Sequence, residues 1–261
     1  MPEVLFLFRI YNSCFFLHNV FMRAILGITA FFIVFLSGAG AFAQQTIISV
    51  PSSDVLPGGE VILKQSNRFS PFGDGFVSLT PQATIGTGWG TEMSLGVGTT
   101  IDDRTDVKLN LAAKKVFRIK SSARLTVGGT LTPSLTEGKN PDSMVYAHGS
   151  YLFRKTKTTL TAGGFVGGKG QMPSLTGVML GIDQSIIPNK LRVVADWMSR
   201  DESWGAFSAG FKIRPEPTTS ITTAVVIPNS NEDRVAFSIS LSKYVGKVIP
   251  EKAKEEPEEA L

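Results

Sequence analysis

The sequence predicts an all-β fold, a transmembrane antiparallel up-and-down β-barrel of about twelve strands. Three observations carry this. Apolar residues alternate with small or polar ones at a period of two, breakers recur between these runs from Glu60 to Tyr244, and a secretion-type segment comes first. The pattern is clearest in the last run, Arg234 to Tyr244. There Val235, Phe237, Ile239 and Leu241 fall on one side, and Ala236, Ser238, Ser240 and Ser242 on the other.

Composition is compatible with this reading but does not dictate it. A barrel in lipid dilutes its apolar face with lumen residues, so 43% apolar content and 26 glycines also suit other all-β proteins. The long apolar runs are confined to the start of the chain. Met22 and Arg23 precede the apolar run Ile25 to Leu36, small residues follow, and Ala41-Phe42-Ala43 forms an A-x-A site. Residues 1–43 therefore read as a signal peptide cleaved after Ala43, with 1–21 lying upstream of a true start at Met22. The rival expectation is a retained apolar anchor, since about 20 apolar residues can span a bilayer. The one cysteine, Cys14, falls in this prefix, so the exported chain needs no disulfide. Cleavage removes Arg9, Arg23 and Glu3, leaving 24 basic and 21 acidic side chains. So small an excess argues against a nucleic-acid partner.

Residues 44–59 contain Pro51, Pro57 and paired glycines, and are expected to form an irregular lead segment in the periplasm or at the barrel mouth. Six strands are expected at 60–66, 75–85, 91–101, 105–117, 123–132 and 143–154. Six more are expected at 158–166, 175–184, 191–199, 204–213, 218–227 and 234–244, so that the barrel covers 60–244. An even count returns both termini to the periplasmic side. In the third to fifth strands the apolar side carries Met93, Leu95, Val97, Val107, Leu109, Leu111, Leu125, Val127 and Leu131. Lys115 is the one charge on that face, near enough to a strand end to snorkel. A mid-bilayer Arg or Lys facing lipid costs about 2–4 kcal/mol, so charge segregation of this kind is the strongest signal in the chain. Aromatic residues such as Trp89, Phe117, Tyr151, Phe153 and Phe211 are expected toward one rim, with Phe69, Phe72, Phe76, Trp197 and Trp204 toward the other. None of the outer loops is long, and no residues are left over for a separate plug domain. Residues 245–261 carry Glu251, Glu255, Glu256, Glu258 and Glu259 and read as a disordered charged periplasmic tail.

A signal peptide, twelve amphipathic strands, short turns and a last strand with Phe237, Ile239 and Leu241 together resemble the bacterial outer-membrane β-barrel proteins. The resemblance covers Glu60 to Tyr244 and implies outer-membrane lipids and the barrel-assembly machinery as partners. It departs at the end, where 17 residues follow Tyr244.

The two-residue period places Lys64, Lys108, Lys114, Arg124, Arg154, Arg192 and Lys212 in the lumen with Glu92, Asp106, Asp183 and Asp196. Seven positive groups against four predict a mildly basic interior, and hence a passive porin-like channel for small polar solutes. The alternative is that these charges pair and hold a closed structural or surface-interaction barrel. Lumen glycines at 96, 98, 128, 163, 177, 181 and 210 favour open space. One constellation has catalytic form: His148 and Ser150 lie two apart on one strand face, as a base-activated nucleophile requires. It is similar to the His-x-Ser of the outer-membrane phospholipase A family. That family follows its serine with Asn-Gly, whereas Tyr151-Leu152 follows here, and no orienting asparagine is found. The expectation is a non-enzymatic protein with no cofactor and no metal site, since His18 lies in the prefix and leaves His148 alone.

Overall fold

The computed structural model describes residues 46–72, 75–102, 105–136, 141–168, 175–199, 205–230 and 234–247. The expected signal peptide, the alternative start at Met22, Trp204, several loop tips and residues 248–261 of the expected tail lie outside them. Among the described residues the chain forms twelve strands. They are β1 Glu60–Ser70, β2 Phe76–Gly88, β3 Thr91–Ile101, β4 Thr105–Arg118, β5 Ala123–Thr132 and β6 Asp142–Phe153, followed by β7 Thr158–Gly168, β8 Leu175–Ile187, β9 Leu191–Met198, β10 Ala206–Glu216, β11 Thr219–Pro228 and β12 Ala236–Lys247. Each pairs antiparallel with its neighbours in sequence, and β1 pairs β12 from Glu60↔Lys247 to Phe69↔Phe237, which closes the barrel and leaves no free edge.

The period of two sorts the side chains as charge segregation demands. Met93, Leu125, Val127, Leu131, Val145, Val178 and Ile239 stand exposed on the outside. Glu92, Lys114, Thr126, His148, Ser150 and Asp196 are buried inside. An exposed apolar belt around a buried polar lining inverts the arrangement of a soluble protein, and it suits a hydrocarbon solvent. Lys115 is on the outer face, where its Nζ donates to the Trp89 carbonyl at the rim and lies 5.8 Å from the Phe117 ring centroid. Trp89 itself is 95% exposed in the β2–β3 turn, and Tyr151 and Phe153 meet edge to face at 4.9 Å near the same rim. Phe76 departs from the expected girdle. It shares the inward side of β2 with Ser78 and Thr80 and lines a cavity in the lumen.

Candidate functional site

The lumen is occupied, and its occupant is the chain's own lead segment. Residues 46–59 run inside the barrel, past the mouth that is one of the two expected placements and away from the periplasm that is the other. The segment is held at three levels. Near the end where β1 begins and β12 ends, the Leu56 amide donates to Glu92 Oε2 at 3.3 Å and the Gly59 amide to the Gly86 carbonyl at 2.7 Å. Gly86 packs so closely on the Leu56 and Pro57 carbonyls that any Cβ there would collide with them.

At the middle level Ser53 is buried, and its Oγ lies 2.8 Å from Thr126 Oγ1 and 2.7 Å from Ser150 Oγ. Ser150 Oγ in turn lies 2.9 Å from Thr161 Oγ1, so one chain of hydroxyls ties the segment to β5, β6 and β7. Lys114 Nζ donates to the Ser52 carbonyl at 2.9 Å, and Arg124 Nη1 reaches both the Ser53 carbonyl and Asp54 Oδ1 at 3.0 Å.

At the third level the segment turns back on itself, with Thr46 bridged to Pro51 and the Ile47 amide donating to the Val50 carbonyl at 2.8 Å. This turn aims three successive amides, of Ile48, Ser49 and Val50, at one oxygen of Asp196, at 2.8, 2.7 and 2.9 Å. Consecutive N–H groups converging on an anion form a nest, with the protein's own carboxylate as the anion. On the other side of the turn, Ile47 and Val50 enter an apolar patch of the lumen made by Tyr146, Phe165, Met179, Val194 and Met198. Five apolar side chains facing a water-filled bore would be costly. Covered by Ile47 and Val50, they form the barrel's internal core.

The glycines expected to leave open space are instead filled. A Cβ on Gly181 would strike Ile47, one on Gly128 the Tyr146 hydroxyl, and one on Gly177 the Phe165 ring. Gly96, Gly98, Gly163 and Gly210 are likewise closely approached, by Gln82, Asn110, His148 and Ala224.

The charges expected in the lumen are there, and most have partners. Glu92 and Lys114 form a fully buried ion pair at 3.0 Å, and Asp183 and Arg192 meet at 2.5 Å. Lys108 lies between Asp106 at 3.4 Å and Asp142 at 3.1 Å. Arg124 has Asp54, Lys64 Nζ donates to Thr46 Oγ1 at 2.9 Å, and Lys212 faces the Asp54 and Asp183 carboxylates. Arg154 sits at the rim, its Nε donating to Ser122 Oγ at 3.1 Å. Sequence reasoning misses several others: Arg68 lies beyond the expected end of the first strand, Asp142 falls in an expected loop, Asp54 in the lead segment and Arg214 in an expected turn.

His148 and Ser150 share the inward face, and no hydrogen bond joins them. The Ser150 hydroxyl is engaged by Ser53 and Thr161, and the His148 ring stacks on Tyr146 at 5.8 Å with both nitrogens buried and without hydrogen-bond partners. Among the described residues no group of three His, Cys, Asp or Glu side chains is placed to hold a metal.

Among the described residues two polar cavities stand out. One, of about 470 Å³, is walled in part by the segment, lies toward the end away from the start of β1 and includes Lys64, Ser66, Arg68, Asn110 and Thr130 in its wall. The other, of about 510 Å³, opens at the rim where β1 begins and β12 ends. The same closed-barrel architecture recurs in solved structures. The KdgM porin in complex with disordered oligogalacturonate matches with a TM-score of 0.51 at 10% identity, covering 70% of this chain and 98% of that one. The KdgM porin by itself matches with a TM-score of 0.50, again at 10% identity and with the same coverage. The outer membrane protein Omp33 of Acinetobacter baumannii gives 0.43 at 10% identity over 72% of this chain and 99% of that one. This chain has the fold of the bacterial outer-membrane β-barrels. No protein-family model matches the sequence, and no curated protein does either. The fold is therefore as far as likeness reaches, and the lumen must supply the rest.

Proposed function

We propose that this protein is an outer-membrane channel for small polar solutes, narrowed by its own N-terminal segment. The observation that carries the reading is the pair of polar cavities, about 470 and 510 Å³, reaching into the bore from opposite ends with residues 46–59 between them. Lys64 and Arg68 in one cavity and Arg154, Arg192 and Arg214 in the other support a weak preference for anions, because rings of side-chain charge set ion preference in pores. The exposed apolar belt supports outer-membrane lipid as its solvent, and the closed strand order supports insertion by the barrel-assembly machinery.

A second reading, a closed structural or surface-interaction barrel, is favoured by the apolar cluster at the centre of the lumen. Single-channel recording in a planar bilayer separates the two. The wild-type protein is expected to give small, slightly anion-selective steps. Gly181→Leu, whose side chain would occupy the space of Ile47, is expected to give steps at least twice as large. Silence from both proteins, each shown to be folded, would leave the closed barrel standing and end the channel reading.

A further inference from the structure

The cavity at the rim where β1 begins and β12 ends is more than the end of a bore. Its charged wall residues among the described ones are Arg154, Lys157, Lys190, Arg192 and Arg214, with no acidic side chain among them. Arg192 has the neighbouring Asp183 carboxylate as a partner. The five come from three consecutive hairpins. Arg154 and Lys157 bracket the β6–β7 turn, Lys190 and Arg192 follow the β8–β9 turn, and Arg214 precedes the β10–β11 turn. The hairpins are tight. Lys157 and Asn189 take left-handed backbone conformations at φ 53° and 60°, Pro188 fixes the residue before Asn189, and the Arg214 amide donates to the Lys190 carbonyl at 2.8 Å. Like charges gathered on a braced frame repel one another, and the repulsion is relieved only by an anion or by water. Leu152 and Arg192, at inward positions of β6 and β9, line the same cavity as Arg154 and Arg214, so these guanidinium groups border the inner side of the rim.

We infer that this cavity is a binding site for a small organic polycarboxylate. A volume of about 510 Å³ is in the range of small-molecule sites, and a ligand with several carboxylates can meet cations contributed by three separate hairpins. Arginine presents a planar fork matched to carboxylate oxygens, and three of the five are arginines. The carboxylates have two sources. One is a free solute. The other is the chain itself, because β12 ends on the same rim at Lys247 and the sequence beyond it holds Glu251, Glu255, Glu256, Glu258 and Glu259. The site does not depend on conduction, since a silent barrel would bind the anion equally well.

The test is isothermal titration of the refolded full chain in detergent at low salt, with citrate as the probe and acetate as the single-carboxylate control. Citrate is expected to bind and acetate not to, and Arg154→Gln with Arg214→Gln is expected to weaken citrate at least tenfold while heat-modifiable migration on gels stays that of a folded barrel. If citrate binds only after residues 248–261 are removed, with the same arginine dependence, the site stands and the chain's own glutamates are its native occupant. Citrate binding that is absent from both forms, or that ignores the arginine substitutions, overturns the inference.

Discussion

At the scale of single residues, Asp196 decides whether the lumen is filled. One of its oxygens accepts three amides from a turn of the lead segment, and hydrogen bonds to a charged acceptor contribute about 1.5–3 kcal/mol each when well made. Replacing it with alanine leaves those amides without their acceptor but touches no strand pairing of the barrel. Asp196→Ala is therefore expected to loosen the segment by on the order of 3 kcal/mol and to spare the barrel. Hydrogen exchange checks this: amides of residues 46–52 should exchange at least tenfold faster, with the strand amides unchanged. Asp196 was legible in the sequence as an inward charge. Its partners were not, because a carboxylate satisfied by backbone amides leaves no complementary side chain to find. Ile47, Ile48 and Val50 did carry a signal. A β-branched apolar run has no reason to stand in water, and the inward positions of Tyr146, Phe165, Met179, Val194 and Met198 break the polar pattern where that run is received.

At the scale of elements, the strands were legible because each solves the same problem of lipid on one side and polar groups on the other. All twelve expected strands are present, and the main departures are extensions, such as β1 to Ser70 and β12 to Lys247, where pairing with a neighbour carries the strand past its alternating run. The two faces make opposite predictions for one substitution. Val127 is exposed at the middle of β5, and arginine there is expected to cost about 2–4 kcal/mol, read as a lower urea midpoint in lipid vesicles. Thr130, on the same strand, borders the polar cavity of about 470 Å³, and arginine there should leave the midpoint nearly unchanged. Equal losses at both positions would contradict an outer face immersed in hydrocarbon. The interior was harder to read, since a lumen glycine means space in a single strand and contact in a closed barrel. Gly128 and Gly177 admit the rings of Tyr146 and Phe165, which stand directly opposite them on the neighbouring strand, and only the register of pairing brings those rings to them.

At the scale of the whole molecule, the segment and the barrel act as one body. The anchors at Leu56, Ser53 and Val50 lie at different heights and on different walls, so release of the segment requires them to break together rather than in turn. The seated form should then be the conducting ground state, with solutes passing beside the segment rather than after its departure. A crosslink tests this directly. Ser53 Oγ and Ser150 Oγ are 2.7 Å apart, and the only native cysteine is Cys14, so Ser53→Cys with Ser150→Cys places two thiols within reach of one another at the middle anchor. Oxidation is expected to join them rapidly in the folded protein and to leave single-channel conductance within about a quarter of its reduced value, since the disulfide only fixes a contact already made. A severalfold rise on reduction would instead mean that conduction belongs to a state with the segment withdrawn, and would turn the lead segment from a fixed constriction into a gate.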